Sequence, residues 1–302
     1  MNRVHWKTFR RAAGLSVLSV AIGLAGSLVW WLNSGATVFS VTRTANASQE
    51  WTPNAPLFVL LVGDDLRPGA GCKCADSIHL VGIPAGGGQA VMMGIPRDTR
   101  VSVPGRGNKR INDAWNAGGN ELMAQVAGEL VGVPVSYVVH VNYTQLPKLV
   151  DEIGGLDVDV PTKMSDRNSG AFFPAGVVHM NGDQVLAFSR NRHIGGGDFK
   201  RSENQGLVIL SALAKMRAEG TGKVDTMKQL GILMRHTDTT GMGTTELWRL
   251  ARVAIAVDAA NVRNVVMPGK SASVGGASYV VPTPEAAAFF ADFADDAILQ
   301  SH

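Results

Sequence analysis

Pro56-Leu57-Phe58-Val59-Leu60-Leu61-Val62-Gly63 is a short, unbroken apolar run that stops at Asp64-Asp65. It is too short for a typical core helix, has no polar alternation, and closes on a glycine and two acids, which suits a strand buried on both faces. Working outward, further strands are expected at 77–83, 90–95, 135–141 and 262–267. Helical patterns lie at 120–130, 145–153, 198–217, 244–257 and 284–299. The last has a clear start, with Thr283 as N-cap, Pro284 at the first helical position and Glu285 in the first turn. Strands alternating with helices imply an α/β fold, a three-layer α-β-α sandwich with a central mixed sheet, over residues 56–302. Neither an internal repeat nor a low-complexity tract interrupts it.

Upstream, Arg3, Lys7, Arg10 and Arg11 mark residues 1–11 as a basic tail. Residues 12–32 are uncharged and apolar, about 31 Å long as a helix and so matched to a bilayer core, with Trp30 and Trp31 at interface depth. Basic residues before the span and none soon after it predict a single-pass anchor with a cytoplasmic N-terminus and everything beyond it extracytoplasmic. A cleaved signal peptide is the competing reading, since Ser34, Gly35 and Ala36 are small. The run exceeds an ordinary signal core and ends in tryptophans, which favours an uncleaved signal-anchor. Residues 33–55 are polar, small and periodless, and read as a linker.

Charge narrows the partners of the outer part. Setting aside the four basic residues of the tail leaves 24 of the 28 Lys and Arg against 25 Asp and Glu. Such a near-neutral balance argues against nucleic acid as a partner, so any anion site must be a local focus of arginines. The chain's two cysteines, Cys72 and Cys74, build no disulfide framework, and its seven histidines show no metal spacing near them. The pair is compatible with a disulfide outside the membrane or with two small buried residues.

That focus is found in Ala187-Phe188-Ser189-Arg190-Asn191-Arg192-His193-Ile194-Gly195-Gly196-Gly197-Asp198-Phe199-Lys200-Arg201-Ser202-Glu203-Asn204-Gln205. In an extended stretch Arg190 and Arg192 point to the same side. After the glycine hinge, Asp198, Arg201 and Gln205 follow at spacings of three and four, which puts them on one face of a helix near its start. Guanidinium forks beside a helix N-terminus suit a multiply charged anion. Charged runs are more often solvated faces, but here Leu207, Leu210, Leu213 and Met216 continue the helix as an apolar stripe, which sets the polar first turn at the rim of the fold.

Several familiar chemistries are excluded. Gly-x-Ser-x-Gly and Gly-x-x-x-x-Gly-Lys-Ser/Thr are absent, and Gly69-Ala70-Gly71 lacks the third glycine of a dinucleotide fingerprint. What remains is acids at strand ends: Asp65 after the first strand, Asp76 before the second, and Ile95-Pro96-Arg97-Asp98 after the third. If these strands are neighbours, their loops meet at one sheet edge, and two carboxylates near phosphate-binding arginines suit Mg²⁺ held between carboxylate and phosphate oxygens. For any one of these acids alone, a turn or cap role is the simpler explanation.

Together with Arg110-Ile111-Asn112 and Gly154-Gly155-Leu156-Asp157-Val158-Asp159-Val160-Pro161, the order and spacing of Gly63-Asp64-Asp65-Leu66-Arg67, Ala75-Asp76-Ser77, Ile95-Pro96-Arg97-Asp98, Leu186 to His193 and Asp198 to Gln205 resemble the LytR-CpsA-Psr family over residues 56–220. The resemblance implies a membrane-anchored, extracytoplasmic phosphotransferase of cell-wall biogenesis. Such an enzyme moves a glycopolymer phosphate from a polyprenyl-pyrophosphate-linked donor to peptidoglycan. By position it implies that Asp65 and Asp76 hold Mg²⁺, that Arg97, Arg110, Arg190, Arg192, Arg201 and Gln205 bind the substrate, and that Arg97, Asp98 and Asp198 serve catalysis. Asp198 would orient the arginines, and Asp98 is either a base or a loop-stabilising group. Apolar residues of the helices at 120–130, 145–153 and 198–217 are expected to line a lipid tunnel or to be ordinary core. Two departures stand out: Asp64 where the family often has Ser, and Cys74 where it often has Arg, with Lys73 as the nearest replacement charge.

Three rivals follow. One is a non-catalytic receptor or carrier for polyprenyl-linked glycans, and another is a polyprenyl-pyrophosphate phosphohydrolase. The third, a transcription regulator, fails on charge, location and the lack of a helix-turn-helix signal.

Overall fold

A computed structural model describes residues 37–45, 47, 52, 54–64, 74–192, 195–219, 231–232 and 234–300. The basic tail, the expected anchor at 12–32, Asp65, Cys72 and Lys73 lie outside the described residues. Among the described residues no helix is long and apolar enough to cross a membrane.

Seven strands form the central sheet: β1 (Phe39–Arg43), β2 (Leu57–Asp64), β3 (Ala75–Ile83), β4 (Ala90–Gly94), β5 (Tyr137–Asn142), β6 (Thr237–Thr240) and β7 (Val262–Val266). Their spatial order is β6-β1-β5-β2-β3-β4-β7. The sheet is mixed, with β2 parallel to β5 and antiparallel to β3. Among the described residues the α-helices are α1 (Asn112–Val131), α2 (Leu146–Glu152), α3 (Gly182–Arg190), α4 (Gly197–Glu219), α5 (Thr244–Ala256) and α6 (Glu285–Asp296).

The opening apolar run is β2, and seven of its eight residues are buried. Side chains alternate across a strand, so Phe58, Leu60 and Val62 enter a cluster with Met123 and Val126 of α1 and Phe290 and Phe293 of α6. Leu57, Val59 and Leu61 turn the other way, toward Leu213 of α4 and Leu250 and Val253 of α5. Helices therefore cover both faces of the sheet, and an α/β fold with a central mixed sheet is what the alternating pattern requires. A satellite core joins Val185 and Phe188 of α3 and Val208 of α4 to two hairpins, 156–180 and 164–173.

The structure departs from the sequence reading in four places. Phe39–Arg43, inside the stretch read as a linker, is a strand paired with β5 and β6. Arg190 and Arg192 do not share an extended stretch: Arg190 is the last residue of α3, and Asn191 follows with extended dihedrals. A capping box between Asn181 and Gln184 nucleates that helix. The helix expected at 120–130 is preceded by an additional turn, because Gly118 and Gly119 leave helical dihedrals and split α1. At α6, Pro284 already has helical dihedrals, and the side chain of Glu285 bonds Thr283, which holds its carboxyl below the usual range. The helix therefore starts one residue later than the sequence marked, with Pro284 rather than Thr283 at the cap position and no side chain capping it.

Candidate active site

Because β2, β3 and β4 are consecutive neighbours in the sheet, the end of β2, the start of β3 and the end of β4 share one edge. Asp76 is delivered there by a bulge. Gly63 pairs with Ser77 and Asp64 with Ala75, so Asp76 is the extra residue of β3, and bulges re-aim side chains in this way. Arg97, just past β4, donates a hydrogen bond to Oδ1 of Asp76, and its Nε lies 4.0 Å from Asp98. Burial pulls the pKa of Arg97 down, but the carboxylates of Asp76, Asp198 and Asp98 outweigh it and hold the group above its ordinary value.

The first turns of α4 bring the second half. Asp198 receives Arg201 Nη2 at 2.9 Å on Oδ1 and 3.0 Å on Oδ2, and Arg192 Nε lies 3.7 Å away. Arg201 is 4% exposed, and burial, reinforced by the charges of Arg192 and Arg97, pushes its pKa down against the pull of Asp198 and Asp76. Gln205 donates to the backbone carbonyls of Asp76 at 3.4 Å and Ser189 at 3.3 Å, which ties α4 to β3 and to the end of α3. Arg97, Arg192 and Arg201 are thus gathered around Asp76, Asp98 and Asp198, and Gln205 ties them to the end of α3, where Arg190 stands. Convergent guanidinium groups of this kind are built for an anion.

Beside this cluster lies an apolar cavity of about 360 Å³. Leu149 and Val150 of α2, Val208, Ala212 and Leu213 of α4, and Trp248 of α5 contribute to its walls. Its lining also includes Ser77, Tyr143, Ser189 and Gln205, which neighbour or bond the anion-site residues, so the two spaces adjoin. Of the three helices expected to face a tunnel or a core, those at 146–152 and 197–219 face the cavity, whereas Met123, Ala124, Val126 and Ala127 of α1 belong to the core.

With the site assembled, comparison with known proteins decides the family. The model of the LytR_cpsA_psr family matches residues 33–294. The chain belongs to this family. The polyisoprenyl-teichoic acid–peptidoglycan teichoic acid transferase TagU of Bacillus anthracis is 31% identical over 175 residues, 57% of each chain. TagV of Bacillus subtilis, described by the same activity, is 29% identical over 229 residues, 70% of this chain and 59% of its own. This LytR_cpsA_psr chain therefore spans less than two thirds of the length of these curated relatives. Among solved structures, Bacillus subtilis TagV aligns with a TM-score of 0.66 at 23% identity, over 78% of this chain and 94% of that one. Bacillus subtilis TagT with bound octaprenyl pyrophosphate aligns with a TM-score of 0.62 at 20% identity, over 82% and 92%. These likenesses fix the fold.

One residue of this LytR_cpsA_psr member sits differently from the sequence reading, and the two alternatives left open for Cys74 are decided. Arg110 donates to the carbonyl of Ser278 at 3.2 and 3.1 Å, lies 3.4 Å from Asp98 and caps the ring of Tyr279 at 5.8 Å. Its fork is engaged in holding the hairpin 269–282 against the loop after β4, at the margin of the anion site. Cys74 is disulfide-bonded, so the position where relatives often carry Arg supplies no cation here. Tyr143 was missed altogether. Its ring lies against Gly63, where a Cβ would come within 2.5–2.6 Å of Cζ, Cε1 and the hydroxyl. No periodicity signals such a residue; the nearest clue is an aromatic directly after the strand at 137–142.

Proposed function

We propose that the chain is a membrane-anchored phosphotransferase that moves a glycopolymer phosphate from a polyprenyl-pyrophosphate-linked donor to peptidoglycan. The observation that carries this reading is the junction of the arginine cluster with the apolar cavity. One ligand class has both parts, a multiply charged head for Arg97, Arg190, Arg192 and Arg201 and a long hydrocarbon chain for the cavity. The names of TagU and TagV, and the lipid bound to TagT, point the same way.

In this reading the acceptor sugar hydroxyl attacks the glycan-side phosphorus, and polyprenyl phosphate leaves. Negative charge grows on the leaving phosphate, where Arg192 and Arg201, aligned by Asp198, bind it more strongly than in the ground state. Gln205 keeps the first turns of α4 against β3, so that alignment survives ligand entry. Asp98, ion-paired to Arg97 and Arg110, serves the loop rather than proton transfer.

The residues present fit Mg²⁺. Arg97 engages one oxygen of Asp76, and the 22% exposed carboxylate offers a second, hard donor to a metal that takes one or two carboxylates plus substrate phosphates. Asp76 and Asp65 would hold it, and when bound it neutralises phosphate charge. The anchor at 12–32, with the N-terminus cytoplasmic and the site outside, would keep the cavity near the membrane that supplies the donor.

Incubating the full chain with Mg²⁺, lipid-linked donor and peptidoglycan tests the proposal, and covalent glycopolymer-peptidoglycan product is expected. Tight donor binding without product would instead establish a receptor, and release of phosphate without transfer a phosphohydrolase. A reporter fused after residue 45 should be active only outside the cytoplasm. Recovery of a soluble form beginning near Ala36 would overturn the anchor.

A further inference from the structure

Tyr143 is a buried polar residue that the proposed reaction leaves unused. Its ring and hydroxyl fill the space beside Gly63, it shares the cavity lining with Ser77 and Gln205, and it lies within the fields of Arg201, Asp76 and Arg190. Ser77 Oγ is 3.2 Å from His79 Nδ1, and His79 Nε2 is 2.9 Å from the carbonyl oxygen of Ser202, the residue after Arg201.

The direction of this chain of bonds is fixed. A carbonyl only accepts, so His79 carries its proton on Nε2 and accepts on Nδ1. Ser77 must then donate to His79. Burial keeps His79 neutral, with its pKa lowered to about 4, so the tautomer holds at physiological pH. Burial also lifts the phenol to about 12, so Tyr143 is a neutral donor.

We propose that Tyr143 is a substrate contact whose hydroxyl donates to an oxygen of the lipid-side phosphate where the arginine cluster meets the apolar cavity. The inference rests on the reading of a polyprenyl pyrophosphate in this site. An anionic phosphate oxygen is a strong, charge-assisted acceptor for a phenol. Ser77 keeps its own donation to His79 throughout. A phenol suits this boundary: its ring belongs to the apolar wall, and a neutral donor costs less to desolvate there than another guanidinium. Gly63 leaves the space in which the ring sits.

The test compares the full wild-type chain with Tyr143→Phe, which keeps the ring and removes the hydroxyl. Affinities are measured for a polyprenyl pyrophosphate and for the prenyl alcohol of the same length, with thermal melting as a control on folding. Tyr143→Phe is expected to weaken pyrophosphate binding about tenfold to a hundredfold while leaving the alcohol unchanged. A wild type that binds the pyrophosphate and a variant that binds it equally well would overturn this contact alone. Equal weakening of both ligands would assign Tyr143 to the wall and overturn it too. A wild type that binds no pyrophosphate would remove the functional reading itself. Should Tyr143→Phe fail to fold, 3-fluorotyrosine at 143, a stronger donor of nearly the same shape, is expected to tighten pyrophosphate binding, and no tightening would overturn the contact.

Discussion

Asp198 holds Arg201 through both carboxylate oxygens, at 2.9 and 3.0 Å, with Arg192 next to it at 3.7 Å. Arg201 is nearly sealed from solvent and is already under repulsion from two other arginines. Removing the counter-charge leaves a buried guanidinium without its partner, the costly way to break an ion pair. Asp198→Asn is expected to lower stability by on the order of 3 kcal/mol. Chemical denaturation measures it, and a change within about 0.5 kcal/mol, typical of a surface site, would refute this account of the pair.

How much of this was readable from residues alone depends on range. The Asp198, Arg201 and Gln205 face was legible because it is set by helical spacing, and β2 was legible because an unbroken apolar run, buried at seven of its eight strand positions, leaves no polar alternation. β1 was not. Its five residues become a strand only by pairing with β5 and with β6, whose Thr237 lies far along the chain. The same holds for Arg110, whose partner Ser278 is 168 positions away, and for Tyr143, whose place depends on the missing Cβ of Gly63. Arg190 was assigned to the wrong backbone, because the Asn181 and Gln184 capping signal was overlooked.

Lysine keeps the charge of arginine but loses the fork. If Arg192 contacts the transferring phosphate, Arg192→Lys should lose turnover by on the order of a hundredfold, comparable to removing one oxyanion donor. Arg217, near the far end of the same helix α4, is the control: it is surface-exposed and bonded to the carbonyl of Ala256 at 3.1 Å. Arg217→Lys should leave turnover unchanged. Equal behaviour of the two variants in a donor-to-peptidoglycan assay would mean that the anion site has been misassigned.

Asp76 carries two loads, since it receives Arg97 and offers an oxygen for Mg²⁺. Asp76→Asn should abolish Mg²⁺-stimulated turnover and weaken Mg²⁺ binding in the presence of donor, as read by calorimetry. Full activity of the wild type in EDTA would remove the metal from the mechanism.

His79 makes stability depend on acidity. Its folded pKa of about 4 lies below the ordinary 6.5, chiefly because burial disfavours the charged ring, so between these values the unfolded chain binds a proton that the native one refuses. Stability from this group is therefore complete above pH 6.5 and is lost as pH falls toward 4. The gap corresponds to about 3 kcal/mol. His79→Gln, whose amide can still donate to Ser202, should flatten that part of the profile in denaturant titrations at a series of pH values. An identical slope in wild type and variant would show that other groups set the acid limb.

The cavity makes the last prediction, because it separates the two halves of the ligand. Ala212 of α4 lines the apolar space away from the arginine residues, so Ala212→Phe places a ring where hydrocarbon would lie and adds no charge. Filling apolar space with apolar atoms is tolerated when the neighbours can accommodate it, so the fold should persist. Affinity for a polyprenyl pyrophosphate should then fall at least about tenfold, since several buried methylenes at about 0.8 kcal/mol each are displaced. Inorganic pyrophosphate, which has no hydrocarbon to place in the cavity, should bind as to the wild type. Calorimetry with the two ligands reads the split directly. Loss of both would mean that the ring disturbs α4 as a whole, and loss of neither would show that the prenyl chain lies outside this cavity.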